Sequence, residues 1–276
     1  MRLGINYKGS KNRIARKIID LLPPADTFID LFAGGCAVTH AAMLSGKYKR
    51  FIMNDIDGRG IKVFTGEYKA KPSDWISREM FFKNSFLPIS DQDAFIACEW
   101  SFSGNMKDYL YGKHLEDWKH AYHEAVYDRD LSRWHSMGFY PPECDITSTN
   151  ERRLFYMRKI REMGEPRNHW ELESAEGLPT FKPSMYVYYT VDYQAIRIPS
   201  DAVIYCDPPY NGTNTGGYDT IEHEQFYEWL RHQTVPCFVS EYSMPDDFKV
   251  VCEWGLHALS DTSGSGRICK EKLWTL

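Results

Sequence analysis

No stretch of the 276 residues approaches the roughly 18 apolar residues that a membrane-spanning helix needs. The seven cysteines, at 36, 98, 144, 206, 237, 252 and 269, include no Cys-x-x-Cys pair. An odd, scattered set argues against a disulfide framework or a structural zinc site and fits a reducing compartment. Positive charge is not in excess: 33 Lys and Arg stand against 38 Asp and Glu, a net charge of −5. That excludes a chain that coats nucleic acid by charge alone. The Gly-x-Gly-x-x-Gly fingerprint of dinucleotide binding is missing, and so are internal repeats and low-complexity tracts. Residues 1–8 hold no apolar segment, so no signal peptide is expected and the chain reads as cytoplasmic. The nine histidines form no ligand cluster, so no metal is expected.

Aromatic residues, in contrast, are plentiful: 15 Phe, 18 Tyr and 8 Trp. Such rings fill cores and also stack on bases, and composition leaves both uses open. The net charge hides segregation. Residues 1–20 hold six basic residues against one acid, residues 151–170 six against three, and residues 191–260 three against eleven. Local positive surface is therefore compatible with a negative total.

Ser10 is positioned to cap a helix over roughly 11–22, which Pro23 and Pro24 end. A buried strand over 27–32, a small-residue turn Ala33-Gly-Gly-Cys-Ala, a helix from Val38 to Ser45 and a strand over 50–54 follow. Strand, glycine turn, helix and strand open a parallel α/β sheet. Between about 67 and 184 this alternation stops. The clearest helix there runs from the cap Asn150 to Met163, with Leu154, Met157 and Ile160 inward and the arginines outward. Strand-like segments return at 185–191, 202–206, 235–240 and 248–252, with a helix around Phe226, Trp229 and Leu230 and an edge strand over 272–276. The expected fold is a Rossmann-like α/β sheet, mostly parallel with one antiparallel strand in its edge region. Residues 1–66 and 185–276 form one split domain, and a mainly helical insertion spans 67–184.

The sharpest chemical signal is Asp207-Pro208-Pro209-Tyr210, directly after the apolar run Val203–Cys206. Open α/β sheets place ligands at such a strand end. Two prolines stiffen the backbone and remove two N–H donors, so nearby carbonyls serve as fixed acceptors. A carboxylate, a carbonyl and a ring together suit a planar group bearing an NH₂; the bland alternative is a proline-rich turn with a core tyrosine. Asp30, with Gly34 and Gly35 after it, suits a cationic or hydroxyl-bearing ligand, and Asp55 stands where nucleoside-binding sheets place a ribose ligand. Tyr7-Lys8-Gly9-Ser10-Lys11 offers a ring and helix N-terminal amides, although any helix can start this way.

In this order, Tyr-x-Gly-Ser-Lys, Asp-Leu-Phe-Ala-Gly-Gly, Asn-Asp and Asp-Pro-Pro-Tyr resemble the Dam-type DNA adenine-N6 methyltransferases, in the arrangement of their alpha group. Val191-Asp192-Tyr193, Ser240-Glu241-Tyr242 and Glu271-Lys-Leu-Trp274 are further matches. The resemblance implies S-adenosylmethionine as methyl donor, S-adenosylhomocysteine as product and double-stranded DNA as partner. It implies that Asp30 binds the methionine amino end, with Phe32, Gly34 and Gly35 in the same turn. Asp55 would take the ribose hydroxyls, Asp192 and Tyr193 the cofactor adenine, and Tyr7 and Lys11 the rest of the pocket. Asp207, Pro208, Pro209 and Tyr210 would be catalytic. Cys36 departs from the family, whose motif often has Gly there.

Direct transfer needs only that N6–H bonds to Asp207 and the Pro208 carbonyl localise the amino lone pair toward the methyl. A base within a duplex must flip out, and Tyr210 would stack on it. Phosphate contacts are expected from Lys107 and Lys113 and from Arg152, Arg153 and Arg158. The glycine-rich segments 211–217 and 263–267 are candidates for ordering on DNA. A monomer in a bacterial or phage-infected cell is expected. Methylation of cytosine N4 or of a protein glutamine, and a non-catalytic nucleic-acid-binding module, are the competing readings.

Overall fold

The computed structural model describes residues 2–66, 73–84, 90–162, 182–211, 221–257 and 268–276. The segments 212–217 and 263–267 singled out above lie outside them. The chain divides into two compact units, residues 1–66 with 178–276, and residues 67–177.

In chain order the elements are α1 (Ala15–Leu21), β1 (Thr27–Asp30), α2 (Ala37–Ser45), β2 (Arg50–Asn54) and α3 (Arg59–Thr65). Within the second unit come α4 (Arg78–Asn84), α5 (Asp91–Glu99), α6 (Lys113–Tyr127), α7 (Ser132–Ser136) and α8 (Thr149–Glu162). The first unit then resumes with β3 (Tyr186–Tyr189), β4 (Ala202–Cys206), α9 (His223–Arg231), β5 (Cys237–Glu241), β6 (Lys249–His257) and β7 (Ile268–Thr275). Among the described residues no helix is long and apolar enough to cross a membrane.

The seven strands form one sheet in the order β3-β2-β1-β4-β5-β7-β6. All pairs from β3 to β5 are parallel; β7 runs antiparallel to both of its neighbours. This is the Rossmann-like, mostly parallel sheet with one antiparallel strand in its edge region. One detail differs: β7 was expected at the edge but lies between β5 and β6, and β6 is the edge. An amphipathic terminal strand looks the same in sequence whether one or both sides are hydrogen-bonded, so order had to come from pairing.

Every residue of β1 and β4 is buried, as in strands covered on both faces. On one face Ile29, Ile204 and Val239 pack with Phe226 and Leu230 of α9. Elsewhere in the unit the rings of Phe28, Tyr48 and Phe51 meet at 5.1–6.4 Å. Each such side chain contributes about 1.5–3 kcal/mol on burial. Chain order reverses between the adjacent strands β1 and β4, the switch point at which open sheets bind ligands.

At the N-terminus, Ser10 does not cap α1. The Ser10 amide instead donates to the Tyr7 carbonyl, Ile14 occupies the N-cap, and the helix begins at Ala15. The tight turn with Gly9 at φ 82° takes the residue expected as the cap, and residues 11–14, expected as the first helical turn, precede the helix.

The described part of the second unit is helical. One core holds Tyr122, Trp134, Phe139, Tyr156 and Ile160; another holds Phe81, Ile96, Trp100 and Tyr109. In α8 the buried stripe is Arg152, Tyr156 and Ile160, whereas Leu154 is 58% exposed. Arg152 is therefore not an outward cation. Its guanidinium donates to the carbonyls of Val126, Ile146 and Thr147 and is 4% exposed. Val126 belongs to the last turn of α6, whose carbonyls lack helical partners, so Arg152 closes a helix end and its expected place on a DNA surface is withdrawn. Lys107, Lys113 and Arg158 are exposed and Arg153 is half-buried. Arg152→Ala is expected to lower stability in urea unfolding by about 3 kcal/mol, and Arg158→Ala by less than about 0.5 kcal/mol.

Candidate active site

The register of β1 with β4 sets Asp30 beside Tyr205, so Asp207 emerges at the same edge two residues later. Asp30 is 2% exposed. Its Oδ2 accepts from the Thr39 hydroxyl of α2 at 2.7 Å, while Oδ1 has no hydrogen-bond partner among the described residues. Burial, reinforced by the charges of Asp207 and Asp55 and opposed by Thr39, pushes this carboxyl up to about 7.

The turn after β1 is built by close backbone approach. Gly34 has φ 47°, and a methyl on it would lie 2.9 Å from the Tyr7 ring. A methyl on Gly60 would collide with the Gly34 carbonyl oxygen. Tyr7 and the start of α3 thus clasp the turn, which only a residue without Cβ permits. Cys36, the departure from the family pattern, sits at the N-cap of α2 in the left-handed region, φ 58° and ψ 27°. The conformation that favours glycine is kept here at a cost of about 1–2 kcal/mol, and the thiol is fully buried.

Asp55 supports this turn from beneath: Oδ2 accepts from the Gly34 amide at 2.8 Å and Oδ1 from the Asp57 amide at 3.0 Å. Burial raises its pKa, with these amide bonds opposing. Asn54, given no role by sequence reasoning, bonds the carbonyls of Leu31 and Val191 and the Val191 amide. It ties the end of β1 to the segment that carries Asp192. The Asp192 carboxylate is exposed and accepts from the Gln194 amide at 2.8 Å. Tyr193 is buried among the rings of Phe32, Phe226 and Trp229 at 5.3–5.6 Å, and Phe32 is half-buried against the same cluster.

Asp207 and Tyr210 meet Lys11. The ammonium lies 2.7 Å from Asp207 Oδ2, 3.3 Å from Glu271 Oε1 and 4.9 Å from the centre of the Tyr210 ring. The Tyr210 hydroxyl donates to Glu271 Oε1 at 2.8 Å, and its ring meets Tyr242 edge-on at 4.7 Å. Glu241, 1% exposed at the end of β5, accepts from the amides of Asn211 and Tyr242 at 3.0 and 2.7 Å. Trp274 Nε1 bonds its carbonyl at 2.9 Å. The backbone that leaves Asp207-Pro-Pro-Tyr is thereby fixed to β5. Pro208 is buried and Pro209 half-buried.

Burial is also the largest influence on the other acids. It raises Asp207 to about 6 despite Lys11, with Glu271 adding to the rise, and raises Glu241 to about 7 despite its two amide bonds. Lys11 is raised overall, because Asp207 and Glu271 outweigh its own burial. Lys11, Asp207 and Tyr210 are thus brought together, and Asp30, Gly34, Gly35, Tyr7 and Asp55 form the adjoining turn. Glu271 and Glu241 were quoted from the sequence without a role. For Glu241 the available signal was an acid closing the buried run Cys237–Ser240, which must find a partner when buried; Glu271, between Lys270 and Lys272, gives no such signal.

An acid whose folded pKa exceeds its unfolded value of 3.8 favours the fold most below that value; the advantage is lost as pH rises through about 7. Asp30→Asn is therefore expected to gain stability relative to the parent between pH 5 and pH 8, measured as the urea midpoint. Parallel curves for the two proteins would refute the buried, raised carboxyl.

Residues 7–128 match the family model of the D12 class N6 adenine-specific DNA methyltransferases. The matched stretch holds Tyr7, Lys11, Asp30, the glycine turn and Asp55, and ends before Asp207. No curated protein matches the chain.

Proposed function

We propose that this chain, whose residues 7–128 match the family model of the D12 class N6 adenine-specific DNA methyltransferases, belongs to that class and moves a methyl group from S-adenosylmethionine to N6 of an adenine flipped out of double-stranded DNA. The observation that carries the proposal is Asp207 with Tyr210 beside Asp30 at one switch point of the sheet. The residues present fit the cofactor. Asp30 offers a buried oxygen without a partner among the described residues, suited to an ammonium, beside a turn that Gly60 of α3 approaches so closely that neither it nor Gly34 has room for a side chain. Tyr7 and Lys11 border that turn and the Asp207 carboxylate. Asp55 supports the reading through the turn, since both of its oxygens are engaged by backbone amides. Asp192 is the exposed acid available to a cofactor adenine.

When bound, the cofactor supplies an electrophilic methyl. The work of the chain is to make N6 able to accept it. That nitrogen's lone pair is delocalised into the purine ring. Asp207 and the Pro208 carbonyl accept its two N–H bonds and favour a tetrahedral nitrogen whose lone pair is localised. Pro208 and Pro209 hold the acceptors still, so little reorganisation accompanies reaction. Tyr210 supplies a ring on which the extruded base stacks, offsetting part of the few kcal/mol of unstacking. The unit of residues 67–177 acts as the target-recognition domain, with Lys107, Lys113, Arg153 and Arg158 toward phosphates. A monomer acting in the cytoplasm on cellular or phage DNA completes the reading.

The test is transfer of labelled methyl from S-adenosylmethionine to duplex DNA, with digestion to identify the methylated base. N6-methyladenine is the expected product. Asp207→Ala should lower kcat by about a hundredfold or more while retaining cofactor binding. For the parent, kcat/KM should fall below pH about 6, where Asp207 takes a proton. Another methylated base, or undiminished turnover by the variant, contradicts the proposal.

A further inference from the structure

Lys11 makes both of the contacts that an extruded adenine would need. Its ammonium is on the Asp207 carboxylate at 2.7 Å and against the Tyr210 ring at 4.9 Å. A base cannot use that carboxylate and ring until the ammonium moves, and an ammonium in so buried a place must keep a counter-ion. Glu271 is the acid within reach, 3.3 Å from Nζ, and it is 6% exposed. It stands on β7, hydrogen-bonded to β5 on one side and β6 on the other, so its backbone is fixed. The same oxygen accepts from the Tyr210 hydroxyl at 2.8 Å.

We infer that Glu271 is a positioning residue for methyl transfer: it receives the Lys11 ammonium as the base takes Asp207, and it anchors the Tyr210 ring through its hydroxyl. The inference rests on the adenine-N6 reading of the site. The flexible four-carbon stem of lysine lets the charge move between two acids without leaving the cluster. No bond to carbon is made or broken in this exchange; one ion pair replaces another. Glu271 is close enough for its charge to oppose ionisation of Asp207. The other groups that interact with Asp207 are Lys11 before α1, Asp30 of β1, Tyr205 and Cys206 of β4, Tyr210 after β4 and Glu241 of β5.

Glu271→Gln keeps the shape and removes the charge; Glu271→Asp keeps the charge. Two readouts are taken on the full-length protein: steady-state methyl transfer to duplex DNA, and titration of Asp207 by carbon NMR of labelled aspartate, assigned with Asp207→Asn. For Glu271→Gln, kcat should fall about tenfold, as for loss of one charged hydrogen bond, with KM for DNA and cofactor held within about twofold. The Asp207 titration and the acid limb of kcat/KM should both move to lower pH, because Lys11 now faces Asp207 alone. Glu271→Asp should restore the limb and most of kcat. A Glu271→Gln protein that titrates and turns over like the parent overturns the inference. So does a loss of activity with an unmoved titration and no recovery in Glu271→Asp, which marks a structural role. The product formed by the parent tests the adenine reading separately, and the NMR titration decides the Lys11–Glu271 linkage without turnover.

Discussion

One ammonium between two carboxylates holds together the buried acids at the strand ends of this sheet. Lys11 approaches Asp207 and Glu271, with Glu241 and Asp30 close by, and burial resists charge on Asp207, Asp30 and Glu241. On the function proposed for the site, Asp207 accepts from an amino group and works best as a carboxylate. The ammonium reconciles the two demands, since its field favours ionised Asp207 against burial. It also explains why the segment before α1 is a turn and not the first turn of a helix. The chain at Tyr7–Ser10 folds back, with Gly9 in the left-handed region, so that Lys11 arrives at the strand ends.

The second constraint is backbone density around the glycine turn. Asp55 holds the Gly34 amide, Asn54 ties Leu31 to Val191, and Tyr7 and Gly60 press on the turn from outside. These contacts all fall on the main chain of the turn and its neighbours, from side-chain carboxylate and amide, ring or backbone, so the turn is shaped before any ligand binds. That is the preorganisation that positioning catalysis requires. Cys36 shows how strongly the surroundings dictate the path: a buried side chain with a Cβ holds the left-handed conformation that glycine adopts freely. Asp30 is the complementary feature, a buried oxygen left without a partner among the described residues in an otherwise well-bonded turn.

What the sequence makes legible follows from how local each cause is. Arg50–Asn54 and Ala202–Cys206 were bounded correctly because a buried strand writes its own apolar run. The parallel α/β sheet followed from the strand-turn-helix-strand opening and the strands near the C-terminus, whereas the strand order, with its reversal between β1 and β4, was not legible there. The start of α1 was misplaced because Ser10 has the right type for a cap while tertiary contacts use that stretch otherwise. The inward face of α8 was misread because Arg152 belongs to the buried stripe, serving carbonyls that include that of Val126 in α6. Glu271 and Lys11 lie near opposite ends of the chain, so nothing local announces their pairing. Tyr193 and Phe32, grouped with ligand-binding positions by resemblance, pack on each other and on Phe226, Tyr193 buried and Phe32 partly so.

The claim on which this account depends most is that Lys11 neutralises buried carboxylates. Its most direct test is the stability of Lys11→Met against the parent by urea unfolding at pH 5 and pH 8. Without the ammonium, Asp207 and Glu271 must be buried either as charges or as protonated acids, and only the second is cheap. The account predicts a small deficit at pH 5 that widens markedly at pH 8. An equal deficit at both pH values would mean that Lys11 contributes packing alone, and would contradict it.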